Sequence, residues 1–384
     1  MEGNTIAVLP GGGPGTPTVT KLSPGFFSEI TTIPAVLDTS RFPSLDGLRG
    51  LAILTVLFSH LRLSGNPLYL VIFNGSLGVL FFFVLSGFLI TTLCIKEKII
   101  TKDISLKNFY MRRVLRIFPV AYLYIVVIVI LNFVFKLKIN AINIAGAALY
   151  LMNFSSFFRK YYYSYFTGHY WSLSVEEQFY LIIPFILKRK FKAYLFFILL
   201  IVFVLPVFIC LQYYFESLNK GFLYALTHYL YKFQSIATGC LFSVLVFKYS
   251  LPNKMTAGTK VITNILAFIV IFGIQYNDFF TLQSVLSSLL VSFLIGYIII
   301  TNLIPSKDII FQFLNSKILS LIGVLSYSIY IWQEIFTSGD PRLPAFLTTF
   351  PGNLICIAVV SCMSYYLYER FFLKLKVKFS RTAS

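Results

Sequence analysis

The chain is constrained most by the long apolar segments that recur from residue 45 to residue 372. A helix needs about 20 mostly apolar residues to cross the hydrocarbon core of a membrane, because each residue adds only about 1.5 Å to its length. Ten segments reach that length, and they cover roughly residues 45–63, 70–95, 115–135, 171–187, 193–215, 224–247, 260–276, 281–304, 317–336 and 350–372. The predicted fold class is therefore all-α, a polytopic membrane bundle of about ten helices.

The composition excludes an ordinary soluble protein. Hydrophobic residues occupy 58% of the 384 positions and charged residues only 12%. The formal net charge of +18 raises the question of a nucleic-acid partner. The basic residues, however, flank the apolar segments, where lysines and arginines orient membrane helices. We predict a multi-pass protein of the inner (plasma) membrane that contacts lipids and binds no nucleic acid.

The distribution of basic residues also predicts the topology. With the N-terminus inside, the arginine-rich stretch at 112–116 and the tail KLKVKFSR at 374–381 both face the cytoplasm. An eleventh apolar run, Ile139–Phe154, is short and interrupted by polar residues. We predict that it forms an interfacial or re-entrant piece, because an eleventh span would place the basic tail outside. Both termini are therefore expected in the cytoplasm.

Three regions are predicted along the chain. Residues 1–43 are rich in Gly, Pro and Thr and are expected to form a flexible tail. Residues 44–373 form one membrane domain, whose first helix is expected to act as an uncleaved insertion signal. Residues 374–384 form a basic cytoplasmic tail. The five cysteines lie in apolar runs without CxxC spacing, so we predict neither a metal site nor a disulfide framework.

Arg49 and His60 lie inside the first predicted helix, and ionisable residues are costly in hydrocarbon. Their spacing of eleven residues is about three helical turns, or about 16 Å, so both project from one face. They cannot touch, but they can hold the two ends of one long ligand. Taken singly, the arginine could instead be a headgroup anchor and the histidine a satisfied interior residue. Their presence on one stripe favours a functional site.

Two glutamates, Glu176 and Glu177, lie near the start of the fourth predicted helix. In the predicted topology they reach about the same depth as His60, near the outer surface. A carboxylate beside an imidazole orients the ring and stabilises its protonated form, which suits a general base that accepts a hydroxyl proton. We predict that His60, Glu176 and Glu177 are catalytic. The alternative is that the glutamates only neutralise basic groups in the bundle.

Two arginines, Arg113 and Arg116, share one face where the third predicted helix enters the membrane from the cytoplasm. The forked guanidinium group suits phosphate, so an anionic cofactor that enters from the cytoplasm fits this position. A positive-inside anchor is the alternative reading.

The remaining predicted binding residues lie on the second and fourth predicted helices. Ser172 and Tyr180 form one stripe with Glu176, and Trp171 precedes them in the motif HYWSLSVEEQFYL. Ser86 lies beside Gly87 in the second predicted helix, where small residues allow the close approach of a ligand. The alternative is that they allow the close packing of another helix. With Arg49, Arg113 and Arg116, these residues make up the predicted substrate-binding set. His169 is a candidate for the acceptor entrance or an exposed loop histidine, and His228 is assigned no role.

Taken together, five stretches resemble the acyltransferase 3 family of membrane O-acyltransferases. They are LDGLRGLAILTVLFSH, GVLFFFVLSGFLI, FYMRRVLRIFP, WSLSVEEQFYL and, more loosely, LIGVLSYSIYIWQ, and they occur in the order typical of the family. The chain departs from the family pattern at Leu80, where an acidic residue is usual, and at Gln333, where histidine is frequent. The departure at Leu80 weakens any role for that position here.

The resemblance implies acetyl-CoA or another acyl-CoA as the cytoplasmic donor, no metal, and a hydroxyl acceptor on an extracytoplasmic carbohydrate such as O-antigen or exopolysaccharide. It makes His60 the essential histidine and Arg49 its partner, and it places the R-x-x-R pair at Arg113 and Arg116. Separate glycan-assembly proteins are possible partners. Direct transfer and an acyl-histidine intermediate both fit. The alternatives are acylation of a small molecule or lipid-linked acceptor, and a transporter of acyl donor or glycan that performs no chemistry.

Overall fold

The structure is a computed structural model, and it describes residues 25–39, 42–154, 164–215, 221–251, 255–280 and 284–379. Within these ranges the chain is helical and contains no strand. The helices are α1 (Pro43–Leu61), α2 (Pro67–Ile72), α3 (Gly75–Thr101), α4 (Leu106–Phe135), α5 (Ala141–Ala148), α6 (Tyr165–Gly168), α7 (Tyr170–Arg189), α8 (Phe191–Leu199), α9 (Leu205–Tyr214), α10 (Gly221–Tyr231), α11 (Gln234–Tyr249), α12 (Ala257–Phe280), α13 (Ser284–Thr301), α14 (Ile309–Leu314), α15 (Lys317–Thr337), α16 (Ala345–Thr348), α17 (Gly352–Met363) and α18 (Arg370–Val377).

The all-α polytopic fold class is confirmed, and each of the ten predicted segments contains a helix. Seven helical stretches of the described chain are long and apolar enough to cross a membrane. The bent pair α10 and α11, with 52° between its two halves, makes an eighth if it is one span. Helix α7 carries glutamates and basic residues, and the apolar stretch of α13 is short. The count of ten spans and the cytoplasmic position of both termini stay predictions.

The apolar run Ile139–Phe154 does not form a long helix. It contains α5, which has 8 residues, and a 3-10 turn at Met152–Phe154. Eight helical residues extend about 12 Å, less than half of the hydrocarbon thickness.

Helix α1 is held directly against α3 and α15, and glycines make this close packing possible. A Cβ atom on Gly323 of α15 would lie 1.8 Å from the carbonyl oxygen of Asp46, and one on Gly78 of α3 would lie 2.6 Å from that of Ala52. Only residues without side chains let the backbones approach so closely. The helix that carries Arg49 and His60 is therefore packed closely against two other helices.

The contact between α3 and α11 depends on a glycine in each helix. A Cβ atom on Gly87 would lie 1.9 Å from the carbonyl oxygen of Ile236, and one on Gly239 would lie 2.0 Å from that of Val84. Gly273 of α12, in contrast, has no atom within 4 Å of such a Cβ.

Because Gly87 is tightly packed and Gly273 is not, replacement by alanine is expected to change the thermal stability differently at the two positions. Gly87→Ala is expected to lower the thermal unfolding midpoint of the purified protein in detergent, because overpacking costs about 1–3 kcal/mol. Gly273→Ala is the matched control, and we expect its midpoint to be unchanged or higher, because alanine favours a helix by about 1 kcal/mol over glycine. A Gly87→Ala protein as stable as the control would contradict the close contact.

The segment before α1 contacts helices of the bundle. Residues 1–24 lie outside the described residues, but residues 25–39 pack on the bundle, and Leu37 is fully buried. Lys96 of α3 donates hydrogen bonds to the carbonyl oxygens of Leu37 and Thr39, at 2.9 and 3.0 Å. Lys248 of α11 donates to the carbonyl oxygen of Ser28 at 2.5 Å. Basic side chains of two helices therefore bind carbonyl groups of this segment, and the predicted division of the chain into a tail and a membrane domain stays a prediction. At the other end, α18 continues to Val377, beyond the predicted boundary at residue 373.

Candidate active site

A cavity of about 270 Å³ lies between α1, α3, α4, α7 and α15. Seven of the ten predicted site residues line it: Arg49, Ser86, Arg113, Arg116, Ser172, Glu176 and Tyr180. His60, Trp171 and Glu177 do not. The sequence thus located most of a cavity whose walls come from helices far apart in the chain. The roles assigned to these residues stay predictions.

The cavity is long. Its lining on α3 runs from Val79 to Lys96, which is about 25 Å along a helix. At the Val79 end, Gly75 lies one turn further along α3, and a Cβ on this glycine would be 3.7 Å from Cε1 of His60. The cavity therefore ends about one helical turn from the His60 ring.

The opposite end of the cavity is basic. Its lining includes four cationic side chains, Arg49, Lys96, Arg113 and Arg116, and two carboxylates, Asp46 and Glu176. An excess of cations around a cavity favours an anionic ligand.

Individual contacts hold two of the cavity arginines in place. Asp46 binds Nη1 of Arg49 at 2.9 Å. The guanidinium group of Arg113 lies 4.6 Å from the ring centroid of Tyr180, a cation–π distance. The Tyr180 hydroxyl is hydrogen-bonded to Ser86.

The two glutamates of α7 face the arginines and not His60. Glu176 lines the cavity, and its electrostatic partners are Arg113, Arg116 and Arg49. Glu177 interacts with Arg113 and with Glu176, and its Oε1 is buried without a hydrogen-bond partner among the described residues. The predicted pairing of His60 with either glutamate is therefore wrong in this structure. Similar depth in the membrane did not bring the groups together, because α7 turns these side chains towards α1 and α4 at the basic end of the cavity.

The carboxylate that faces His60 is Glu334 of α15. Its Oε1 lies 3.6 Å from Nε2 of His60, and its side chain is 4% exposed. Tyr165 of α6 is a further hydrogen-bonding neighbour of Glu334, and its hydroxyl is 3.1 Å from Oγ1 of Thr337. Sequence reasoning missed Glu334, although an acid inside an apolar span was itself a signal of function. The family-like motif was read only as far as the preceding residue, Gln333.

The hydrogen bonds of His60 define which ring nitrogen is basic. Its Nδ1 lies 2.8 Å from the carbonyl oxygen of Val56. A carbonyl oxygen only accepts, so Nδ1 carries the proton in the neutral ring and Nε2 carries the lone pair. Nε2 is also the atom that faces Glu334. The pair can therefore take up a proton at Nε2, and the adjacent carboxylate then stabilises the imidazolium.

Three further predicted residues are placed as follows. Ser172 lines the cavity, and its hydroxyl is 2.6 Å from that of Tyr330. Trp171 is exposed and packs edge-on against Phe83, with the ring centroids 6.0 Å apart, outside the cavity lining. His169 is only 4% exposed, so the reading as an exposed loop histidine is wrong.

The cysteines are free, and no three His, Cys, Asp or Glu side chains of the described chain converge as a metal site.

Comparison with known proteins identifies the family of the chain. The family model for the Acyltransferase domain Acyl_transf_3 matches residues 42–369. The chain therefore belongs to this acyltransferase family, as the resemblance predicted.

The curated relatives are bacterial O-acetyltransferases. O-acetyltransferase OatA of Staphylococcus aureus (strain NCTC 8325 / PS 47) is 30% identical over 315 residues, which cover 76% of this chain and 50% of the relative. Peptidoglycan O-acetyltransferase OatA of Listeria monocytogenes is 38% identical over 154 residues, 37% of this chain and 23% of the relative. The chain thus matches half, or less, of the length of these relatives. No solved structure matches the chain.

Proposed function

We propose that the protein transfers an acetyl group, or another short acyl group, from cytoplasmic acyl-CoA to a hydroxyl group of an extracytoplasmic carbohydrate. The observation that carries this proposal is the position of the cavity, which is basic at one end and at the other ends about one helical turn from His60, the partner of Glu334. The names of the relatives point to a cell-surface polysaccharide such as peptidoglycan as the class of acceptor.

The basic end suits the phosphate groups of the donor. Arg113 and Arg116 supply guanidinium forks for phosphate oxygens, and Arg49 lies close enough to both to act electrostatically on them. The pantetheine arm then follows the apolar lining of α3 towards Val79. In this arrangement the thioester lies near His60.

Acyl transfer at the His60 end of the cavity needs one general base. Nε2 of His60 takes the proton of the acceptor hydroxyl while the oxygen attacks the thioester carbon. The C–S bond then breaks, and the proton leaves with the thiolate, so that free CoA and the ester are the products. Glu334 stabilises the positive charge on His60 between these steps. If Nε2 instead attacks the thioester first, the C–S bond breaks, CoA leaves as the thiolate and His60 carries the acetyl group as an acetyl-histidine. The acceptor hydroxyl then attacks this acetyl group, which frees Nε2 of His60, and the hydroxyl proton goes to the thiolate.

The proposal places the protein in the inner (plasma) membrane and gives it a carbohydrate acceptor. Separate glycan-assembly proteins that deliver the acceptor are the partners that fit such a reaction.

Reconstituted protein tests the reaction directly. Proteoliposomes are supplied with labelled acetyl-CoA on one side and with soluble cell-wall glycan fragments on the other, and label in the glycan and released CoA thiol are both measured. We expect the two products to appear in equal amounts. Labelled lipid or small molecule in place of labelled glycan would overturn the proposed acceptor, and passage of donor or glycan with no CoA released would identify a transporter.

A further inference from the structure

A group of buried polar atoms next to the His60–Glu334 pair has no hydrogen-bond partner among the described residues. They are both ring nitrogens of His169, both amide atoms of Gln333 and the hydroxyl of Thr167. His169 is 4% exposed, Gln333 0% and Thr167 1%. Each unpaired buried polar group costs about 1–3 kcal/mol, so a concentration of them in one place needs an explanation.

These atoms belong to two chain segments that face each other. Gln333 lies on α15 between Tyr330 and Thr337, and this spacing puts the three on one side of the helix. The Tyr330 hydroxyl donates to the carbonyl oxygen of His169 at 3.1 Å, and Thr337 contacts Tyr165. The stripe that contains Gln333 therefore faces the segment 165–169, which carries Thr167 and His169.

The same place adjoins the proposed base. Gln333 directly precedes Glu334, whose carboxylate faces His60. His60 and His169 are close enough to interact electrostatically. A molecule that binds the unpaired atoms thus lies near the His60–Glu334 pair.

The chemistry of these atoms points to a neutral ligand rich in hydroxyl groups. The amide of Gln333, the hydroxyl of Thr167 and a neutral imidazole each offer both a donor and an acceptor, as a sugar hydroxyl does. None of the three is cationic, so the set is unlike the arginines at the basic end of the cavity. The rings of Tyr124, Tyr170 and Tyr330 surround His169, with centroids 4.8–5.7 Å away. Such aromatic walls with a few convergent polar groups are typical of sites for uncharged ligands.

We propose that His169, Gln333 and Thr167 bind the acceptor sugar through the hydroxyl groups next to the one that reacts. This inference rests on the proposed transfer to a carbohydrate and assigns its acceptor site. The three are binding residues, and His60 remains the base. The donor and the acceptor then occupy different ends of the bundle and meet at His60.

The test uses substitutions that keep the shape of the side chains and remove the polar atoms, His169→Phe and Gln333→Leu. Replacing unpaired polar groups by apolar ones of similar shape is neutral or stabilising, so both proteins are expected to fold with unchanged or higher thermal midpoints. His228→Phe and Gln312→Leu are the matched controls. The His228 ring already bonds the carbonyl oxygen of Tyr224, and Gln312 is exposed on α14.

Two measurements are made on the full chain in detergent. The first is direct binding, without donor, of the disaccharide of N-acetylglucosamine and N-acetylmuramic acid whose lactyl carboxyl group is capped as an amide, so that the saccharide is uncharged. The second is steady-state transfer of acetyl groups to the same saccharide. In His169→Phe and Gln333→Leu we expect at least a tenfold weaker saccharide affinity and a tenfold higher KM for the saccharide, with the KM for acetyl-CoA unchanged.

The outcomes separate the acceptor site from the proposed function. If the unchanged protein transfers acetyl groups but both variants keep the original saccharide KM, the assigned acceptor site is wrong and the function stands. If the unchanged protein binds the saccharide but transfers no acetyl group, and the two variants do not bind the saccharide, the site stands and the proposed function is wrong. Absence of saccharide binding by the unchanged protein overturns the inference.

Discussion

His60→Ala is expected to lower the rate constant for acetyl transfer by about 10²–10⁴-fold, the usual contribution of a positioned acid–base group. The physical reason is that Nε2 of His60 is held with its lone pair available, because Nδ1 donates to Val56. Binding of CoA should survive, since the cavity arginines are untouched. The measurements are kcat with labelled acetyl-CoA and a saccharide acceptor, and the CoA-dependent shift of the thermal midpoint.

A smaller loss, about 10-fold to 100-fold in kcat, is expected for Glu334→Gln. The amide keeps the shape of the side chain but cannot stabilise an imidazolium by charge. Glu177→Gln should have the weaker effect of the two, because Glu177 faces Arg113. The reverse order would show that the pairing predicted from the sequence operates during the reaction.

The matched control for these substitutions is His228→Ala. His228 lies on α10, and its ring is hydrogen-bonded to the carbonyl oxygen of Tyr224, away from the cavity lining. Its kcat should stay within a factor of about two of the original. Full activity of His60→Ala would contradict the proposed mechanism.

The second large effect is expected on donor affinity. Arg116→Gln should raise the KM for acetyl-CoA by about 10-fold to 100-fold, because a hydrogen bond to a charged group contributes about 1.5–3 kcal/mol. The value of kcat should change little, since Arg116 lies at the end of the cavity far from His60. Arg116→Lys should recover only part of the affinity, because an ammonium group lacks the planar fork.

Steady-state kinetics at two salt concentrations measure this effect. Arg189→Gln is the matched control, because Arg189 is exposed at the end of α7 and stacks on Phe185 at 4.4 Å. A KM for acetyl-CoA that is equal in Arg116→Gln and Arg189→Gln would place the donor elsewhere. A fall in kcat without a change in KM would assign Arg116 to the chemical step.

The helices of this protein were predictable, because their length and apolar content are local properties of the chain. The costly ionisable residues inside them were equally visible, so Arg49, Arg113, Arg116 and Glu176 could be assigned to a site before their neighbours were known. The structure then placed all four around one cavity. Their detailed roles still depend on the experiments above.

The partner of His60 could not be predicted in the same way. Depth in the membrane follows from position along a helix, and by depth alone Glu176 and Glu177 were suitable partners. The direction in which a side chain points depends on the rotation of its helix and on the helix packed against it. Glu334 was overlooked for this reason, although its cost inside an apolar span was readable.

The sequence by itself thus determined the class of fold, the positions of the helices and the residues able to perform chemistry, because hydrophobic length and charge act locally. Only the tertiary structure decided that Glu334 faces His60, that residues 25–39 pack on the bundle and that His169 is buried. Each of these three features depends on close contact between residues that are far apart in the chain. Glycines such as Gly323 allow helices to pack closely enough for such contacts. Packing of this kind selects one partner among several that the sequence permits.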